Sequence, residues 1–128
     1  MNKLNSYKEL IAWQKSMLLV NEIYKLTKNF PSDERFGIVS QLNRAVVSIP
    51  TNIAEGWGRV SRKNYLQFLR ISRGSLFETE TLLIISFNQT YISKSEFEKT
   101  SSLLEEVSKI LNGLIKSIEM KVATSATN

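Results

Sequence analysis

The sequence predicts an all-α protein, an up-down-up-down antiparallel four-helix bundle that forms a single domain. Apolar residues recur at alternating spacings of three and four along four segments, which is the spacing of one helix face. Short connections join the segments, so consecutive helices become antiparallel neighbours that cover each other's apolar faces. With only two Pro and five Gly in 128 residues, the composition does not fit a turn-rich β fold.

Capping residues and chain breaks set the helix limits. The predicted helices span residues of about 7–28, 33–56, 61–89 and 94–120. Ser6 and Ser93 each stand three residues before a Glu, the spacing of a capping box, and Ser61 is the predicted N-cap of the third helix. The domain is expected to cover 1–122, and the tail 123–128, which has nothing to bury, is expected to fray.

Three residues inside these helices are expected to shape them locally. Pro50 lies within the second helix, where it removes a backbone hydrogen bond at a cost of roughly 3 kcal/mol and predicts a kink. Gly56 is expected to end the second helix in a left-handed cap. Gly74 is expected to allow another helix backbone to approach the third helix closely.

The third helix is apolar on a second side, opposite its core stripe, at Leu66, Phe77 and Ile84. Exposed apolar patches on monomers tend to be small, so this side predicts the interface of a homo-oligomer. The alternative is a wide core stripe in a small bundle. The first helix also carries apolar residues outside its own stripe of Leu10, Trp13, Met17, Val20 and Tyr24, namely Ile11, Leu18 and Leu19.

Two zero counts exclude several classes of site. The chain has no Cys and no His, so it cannot hold a thiolate nucleophile, a Cys metal site, a Ser-His-Asp triad or a Glu-x-x-His di-iron centre. No catalytic residue, metal ligand or cofactor is therefore predicted. A carboxylate-based hydrolase is the remote alternative, because only the tertiary fold could bring Glu55 and Glu78 together.

Polar residues within the apolar segments predict a buried ion and hydrogen-bond network that fixes the register of the helices. The members of this predicted network are Gln41, Arg44, Asn52, Glu55 and Glu78.

Positive charge is concentrated in the middle of the chain. The formal net charge is +5, and residues 35–73 hold seven bases against one acid, whereas residues 74–120 hold four bases against seven acids. Clustered Lys and Arg favour a polyanionic partner such as RNA or DNA. The alternative is a solvated face balanced by acids of a neighbouring helix. The predicted phosphate contacts are Arg44, Arg59, Arg62, Lys63, Arg70 and Arg73.

Trp57 lies beside three of these bases, at the start of the third helix. An aromatic ring next to cations can stack on a nucleic-acid base, and the alternative is that Trp57 closes the end of the bundle. The N-terminal residues lack the apolar run of a signal peptide, and no stretch of about 18 apolar residues is present. We therefore expect a cytoplasmic protein without a membrane partner.

Three motifs resemble a known family. The run at 40–59, SQLNRAVVSIPTNIAEGWGR, the run at 74–81, GSLFETET, and the run at 10–15, LIAWQK, are similar to motifs of the four-helix-bundle family named for intervening sequences in bacterial 23S ribosomal RNA genes. The resemblance covers residues 7 to about 92.

This resemblance implies a bacterial protein without enzymatic activity that assembles into ring-like homo-oligomers, typically pentamers. It also implies a relation to the accessory protein of diversity-generating retroelements, a basic helical barrel that binds nucleic acid and a reverse transcriptase. The leading hypothesis from the sequence is thus a non-enzymatic, oligomeric bundle that binds RNA or DNA through a basic face. The alternative is a protein-interaction scaffold without intrinsic nucleic-acid binding.

Overall fold

The computed structural model describes residues 4–127, and side chains are described for residues 4–124. Within this part of the chain the regular structure is entirely helical. Its α-helices are α1 (Ile11–Thr27), α2 (Ile38–Trp57), α3 (Arg62–Asn88) and α4 (Lys94–Thr127). Short 3-10 helices, Tyr7–Glu9 and Ser32–Glu34, precede α1 and α2.

The four helices form the predicted antiparallel bundle. In the described residues α2 and α4 each pack against both α1 and α3, whereas α1 and α3 occupy diagonal corners and their backbones do not approach closely. The antiparallel order is visible in single contacts. The end of α1 meets the start of α2 where Thr27 donates to Asn43 at 3.1 Å, and the middle of α2 meets the middle of α3 where Ser75 donates to Ser48 at 2.8 Å.

The buried core follows the predicted stripes of α2, α3 and α4, but the stripe predicted for α1 is shifted. Leu19 and Ile23 are fully buried, whereas Tyr24, which the predicted stripe contains, is exposed. Ile11 and Leu18 are also exposed. α1 is apolar around most of its circumference, so spacing alone did not identify the face that its neighbours cover.

Several helix limits differ from the prediction. The N-terminal turn is a 3-10 helix because the Glu9 and Leu10 amides donate to the carbonyls three residues before them, and α1 begins only after the extended residue Leu10. The capping box predicted at Ser6 is absent, since Ser6 accepts from the Lys8 amide at 3.1 Å and the Glu9 carboxylate accepts from the Asn5 amide. α2 begins five residues later than predicted, after a second 3-10 turn. α4 continues to Thr127, so the predicted end at 120 is wrong, and the last residue of the predicted tail lies outside the described part. The capping box at Ser93 is confirmed by reciprocal bonds of 2.8 and 3.1 Å with Glu96.

α2 continues through Pro50, and side chains supply donors to the carbonyls of the preceding turn. The side chains of Thr51, Asn52 and Ser72 donate hydrogen bonds of 2.8 Å to three consecutive carbonyls, those of residues 47–49 in that order. Ser72 belongs to α3 and is fully buried. The turn of α2 that Pro50 weakens therefore accepts hydrogen bonds from side chains of α2 and from Ser72 of α3.

The two glycines have roles opposite to those predicted. Gly56 lies inside α2, and none of the glycines has a positive φ, so the predicted left-handed cap is wrong. A Cβ at Gly56 would lie 2.7 Å from Cβ of Phe68 and 3.0 Å from Cδ1 of Tyr65, so this glycine is what permits the close approach of α3. Gly74 is exposed, and a Cβ there would meet open space. The close approach predicted at Gly74 is absent from the protomer.

The two glycines form a matched pair for substitution. We expect Gly56→Ala to lower the free energy of unfolding by about 1–3 kcal/mol, because the new methyl group overlaps α3. Gly74→Ala is expected to raise the free energy of unfolding by about 0.5–1 kcal/mol, because alanine loses less backbone entropy than glycine on folding and its methyl group meets open space here. Urea denaturation at one protein concentration measures both changes. Equal effects of the two substitutions would contradict this account of the α2–α3 contact.

Candidate nucleic-acid interface

One end of the bundle carries most of the net positive charge. Here the first 3-10 helix, the end of α2, the start of α3 and the end of α4 meet, and we call this region the basic end. Its bases are Lys8, Arg59, Arg62, Lys63, Arg70, Lys116 and Lys121, and its acids are Glu9, Glu55 and Glu119. The excess of four positive charges is most of the formal net charge of +5.

The opposite end of the bundle is electrically balanced. Its charged residues are five bases, Lys25, Lys28, Arg35, Lys94 and Lys99, and five acids, Glu22, Asp33, Glu34, Glu96 and Glu98. Antiparallel packing thus gathers bases that are distant in the sequence at one end of the bundle and leaves the opposite end without net charge.

The loop between α2 and α3, residues 58–61, presents the most accessible part of the basic end. The guanidinium of Arg59 lies 4.5 Å from the ring centroid of Phe68, a cation–π contact that orients the side chain while leaving it exposed. Arg62 and Lys63 are exposed in the first turn of α3. Ser61 caps that turn, accepting from the Asn64 amide at 3.1 Å, so the loop has a defined exit into the helix.

Arg70 and Arg73 connect α3 to α4. Nη2 of Arg70 lies 2.8 Å from Oε2 of Glu119, and Nη1 of Arg73 donates to Oδ1 of Asn112 at 3.3 Å. Both partners in the Arg70 pair are about half exposed, so the pair adds at most about 1 kcal/mol to stability. These two arginines remain predicted phosphate contacts, but in the protomer they already have partners.

Arg44 lies apart from the other predicted phosphate contacts. It is exposed on the outer side of α2, in the half of the bundle away from the basic end. The structure therefore brings together Arg59, Arg62 and Lys63 with Arg70 beside them, and it does not bring Arg44 to the same surface.

Sequence reasoning missed three bases of this surface. Lys8 comes from the N-terminal 3-10 helix, and Lys116 and Lys121 come from the last turns of α4. The signal that could have found them is the predicted topology, because an up-down-up-down bundle places the start of the first helix and the end of the fourth beside the second connection.

Trp57 belongs to a cluster of three aromatic rings at the basic end, together with Tyr7 and Trp13. It is half-buried, its ring centroid lies 6.4 Å from that of Tyr7, and the Tyr7 centroid lies 5.4 Å from that of Trp13. Both ring pairs meet edge to face, an arrangement typical of packed aromatic clusters. This favours the alternative in which Trp57 closes the bundle end over the one in which it stacks on a base.

The predicted buried polar network is not present. Gln41, Arg44, Glu55 and Glu78 are exposed, and no ion pair joins them in the described part of the protomer. Asn52 alone of the predicted members is half-buried, and it bonds within α2 to Ser48. Charged side chains on amphipathic helices avoid the cost of burial by facing outward.

Small hydroxyl residues occupy the place predicted for charged ones. Ser75 donates to Ser48, Ser72 donates to the Ile49 carbonyl, and the buried Thr79 donates to the Ser75 carbonyl, each at 2.8 Å. We call this row the hydroxyl seam between α2 and α3. It satisfies polar groups with short side chains and so keeps the two helices close.

Of the three residues predicted for an oligomer interface, one is in the core. Leu66 is only 6% exposed and packs within the bundle, so its assignment to an outer face is wrong. Phe77 and Ile84 are exposed on α3, and their interface role remains a prediction.

Neither a metal site nor a membrane span is found in the residues that the structure describes. No group of three or more Asp and Glu side chains lies close enough there to hold a metal ion. Between residues 4 and 127, no helix is long and apolar enough to cross a bilayer.

Tyr65 lies beneath the basic end, against Gly56, and its buried hydroxyl has no hydrogen-bond partner among the described residues. Burial raises the pKa of Tyr65 from 10.0 to about 12. Its folded pKa thus exceeds its unfolded pKa, so the stability associated with the neutral phenol is present below pH 10 and is lost as the pH rises towards about 12.

We expect Tyr65→Phe to remove this alkaline loss of stability, because phenylalanine keeps the ring and has no proton to release. Unfolding free energies measured by urea denaturation below pH 10 and near pH 12 provide the test. Tyr24→Phe, at an exposed position, is the matched control and is expected to follow the wild type. Identical alkaline behaviour of wild type and Tyr65→Phe would show that Tyr65 is not the group responsible.

Comparison with known proteins agrees with the fold and the motifs. The family model described as 23S rRNA-intervening sequence protein matches residues 8–113. Among solved structures, the chain is similar to a protein of unknown function from the S23 ribosomal protein family of Bacteroides thetaiotaomicron, with 27% identity and a TM-score of 0.77. That similarity covers 83% of this chain and 99% of the other. No curated protein matches this chain.

Proposed function

The chain belongs to the 23S rRNA-intervening sequence protein family, and we propose that it is a cytoplasmic, non-enzymatic homo-oligomer that binds the phosphate backbone of RNA or DNA through its basic end. The observation that carries the proposal is the collection of seven bases and only three acids at one end of the bundle. For the oligomer, the family resemblance implies five copies.

The exposed cations of the basic end suit phosphate. Lys8, Lys63 and Lys121 are exposed, and they come from three different elements that meet at this end. Arg59 adds a guanidinium whose stacking on Phe68 limits its motion before any ligand arrives. Pre-ordering of this kind reduces the entropy lost on binding. A backbone spanning this surface would release counterions from several phosphates at once.

The contacts support backbone binding rather than base reading. Trp57 is engaged with Tyr7 in the aromatic cluster, so it is not available as a free stacking platform. Val60, at the tip of the loop, is fully exposed but has no hydrogen-bonding side chain. Positioning contacts to phosphate carry no sequence information, so the proposed binding is tolerant of sequence.

The placement of the carboxylates supports a non-enzymatic role. Glu55 lies near the end of α2, and Glu78 lies in the middle of α3, level with the first half of α2. Both are exposed, and none of the ion pairs among the described residues includes either of them.

One feature favours the alternative, a protein-interaction scaffold. Phe36, in the turn before α2, is 88% exposed, and the guanidinium of Arg35 lies 5.5 Å from its ring centroid. Exposed aromatic and Arg side chains are typical anchors of protein interfaces. Phe36 and Arg35 lie at the end of the bundle opposite the basic end, so substitutions can separate protein interaction from nucleic-acid binding.

The triple substitution Arg59→Gln, Lys63→Gln and Lys121→Gln is expected to weaken binding of nucleic acid. Each lost phosphate contact should reduce the slope of log affinity against log salt by about 1, so the slope should fall by about three. Fluorescence anisotropy of labelled RNA and DNA at several salt concentrations gives both the affinity and the slope.

The matched control removes three exposed cations from the opposite end, through Lys28→Gln, Arg35→Gln and Lys94→Gln. It is expected to keep the wild-type slope, and circular dichroism checks that all variants remain helical. Equal losses in both sets of variants would indicate nonspecific attraction to net charge. Absence of wild-type binding at low salt would reject the proposal in favour of the scaffold.

A further inference from the structure

The first 3-10 helix, α1 and α2 enclose an apolar cavity near the basic end. Its volume is about 430 Å³, which falls in the range of roughly 300–1,000 Å³ that small-molecule sites occupy. The lining comes from all three elements and includes Tyr7, Trp13, Met17, Val47 and Pro50. We call this cavity the aromatic pocket.

Two aromatic rings form one wall of the aromatic pocket. The ring centroids of Tyr7 and Trp13 lie 5.4 Å apart at an interplanar angle of 74°, so the rings meet at a corner. Tyr7 also contacts Trp57, at 6.4 Å between centroids, which holds its ring from outside the pocket. The faces of aromatic rings carry partial negative charge and attract organic cations. This wall therefore favours a cationic ligand over an anionic one.

Glu55 adds a negative charge to the same cavity. Among the described residues it is the only charged one that lines the aromatic pocket. It is also the only acid between residues 35 and 73, a stretch with seven bases, and none of the ion pairs in the described part of the chain includes it. The carboxylate is thus available to a cation that enters the pocket.

The bases of α2 and of the loop that follows it do not neutralise this carboxylate. Arg59 follows Glu55 by four residues, but its guanidinium lies 4.5 Å from the ring centroid of Phe68, on α3. Arg44 precedes Glu55 by eleven residues, about 16 Å along the helix. The wider charge of the basic end acts over longer distances, where physiological salt screens it within about 8 Å.

The charges near the other two walls also balance. On α1, Lys15 pairs with Glu106 of α4 at 3.4 Å, away from α2. On the 3-10 helix, Lys8 and Glu9 follow Tyr7, both are exposed, and their formal charges cancel. The pocket lining itself keeps a formal charge of −1.

The α2 side of the aromatic pocket offers few polar groups to a ligand. Pro50 has no N–H, and the hydroxyl of Thr51, which also lines the pocket, already donates to the Val47 carbonyl at 2.8 Å. The body of a ligand that fits here is therefore apolar, and its polar recognition is concentrated at Glu55.

We propose that the aromatic pocket binds a small organic monocation, an amine with an apolar body. The ammonium group lies between Glu55 and the two rings, and the apolar body packs against Met17, Val47 and Pro50. The site gives a use to the one acid of the basic stretch, and it needs none of the phosphate-binding residues of the proposed function.

Phenethylamine and 2-phenylethanol are matched probes for this site, because they share an apolar body and differ in the charged group. Isothermal titration calorimetry at pH 7 is expected to show roughly tenfold tighter binding of the amine by the wild type. Glu55→Gln should remove this preference by weakening amine binding alone. Glu55→Lys should reverse it, so that phenylacetate binds more tightly than the amine.

Matched variants locate the binding. Glu78→Gln, at an exposed carboxylate on α3, is expected to keep the preference for the amine. Val47→Phe fills the pocket from an exposed position and should abolish binding of both probes, whereas Ile71→Phe, on an exposed side of α3, should not. In Trp57→Phe the remaining tryptophan is Trp13, so the amine should change its fluorescence. Circular dichroism confirms that the variants remain helical.

Three outcomes overturn the inference. Equal affinity of the wild type for the amine and the alcohol would show that Glu55 does not select a cation. Amine binding that survives Val47→Phe would place the ligand outside the aromatic pocket. A wild type that binds neither probe rejects the site, and dissociation of its oligomer by Val47→Phe would show that a second copy covers the cavity. Nucleic-acid binding by the basic end is measured separately and does not depend on these results.

Discussion

The close contact between α2 and α3 positions both the turn around Pro50 and the loop that carries much of the basic end. It exists because Gly56 has no side chain where α3 crosses and because the hydroxyl seam uses serine and threonine where larger residues would separate the helices. The same proximity allows Ser72 to bond the Ile49 carbonyl next to Pro50. The short connection 58–61 follows from this contact, and it gathers Arg59, Arg62 and Lys63 at one corner of the bundle.

The packing of the helices also separates two kinds of surface along the bundle axis. The basic end combines residues as distant in the sequence as Lys8 and Lys121. The half farther from it carries exposed apolar side chains, among them Phe36, Phe77 and Ile84. The proposed nucleic-acid binding therefore needs only one end of this small domain and leaves the other surfaces uncovered.

The sequence predicted the buried face of a helix correctly wherever the apolar residues form a single stripe. α2 shows this, because Leu42, Val46, Ile49 and Ile53 form one stripe and are all fully buried. In α1 the apolar residues can form several stripes. Leu19 is buried because of neighbouring helices whose positions only the tertiary structure supplies. Gly56 could end a helix or receive a neighbouring one, and the sequence does not distinguish these uses.

The residues of the candidate nucleic-acid interface were also predictable only in part. Arg59, Arg62 and Lys63 are close in the sequence, so a local count of charges finds them. Lys8, Lys116 and Lys121 join them only through the topology. The predicted polar network failed at Glu78 and Arg44 because a polar residue in an apolar segment shows which helix it belongs to, whereas the phase of that helix decides whether the residue faces the core or water.

Lysine footprinting, with and without bound RNA, tests whether the basic end is the surface that contacts nucleic acid. The reactivity of each lysine towards an amine-modifying reagent, read by mass spectrometry, compares both ends of the bundle in one sample. The account predicts that RNA protects Lys8, Lys63 and Lys121 and leaves Lys94, at the opposite end, unchanged. Protection of Lys94 with full reactivity at Lys63 would place the nucleic acid on another surface and contradict the assignment of the basic end.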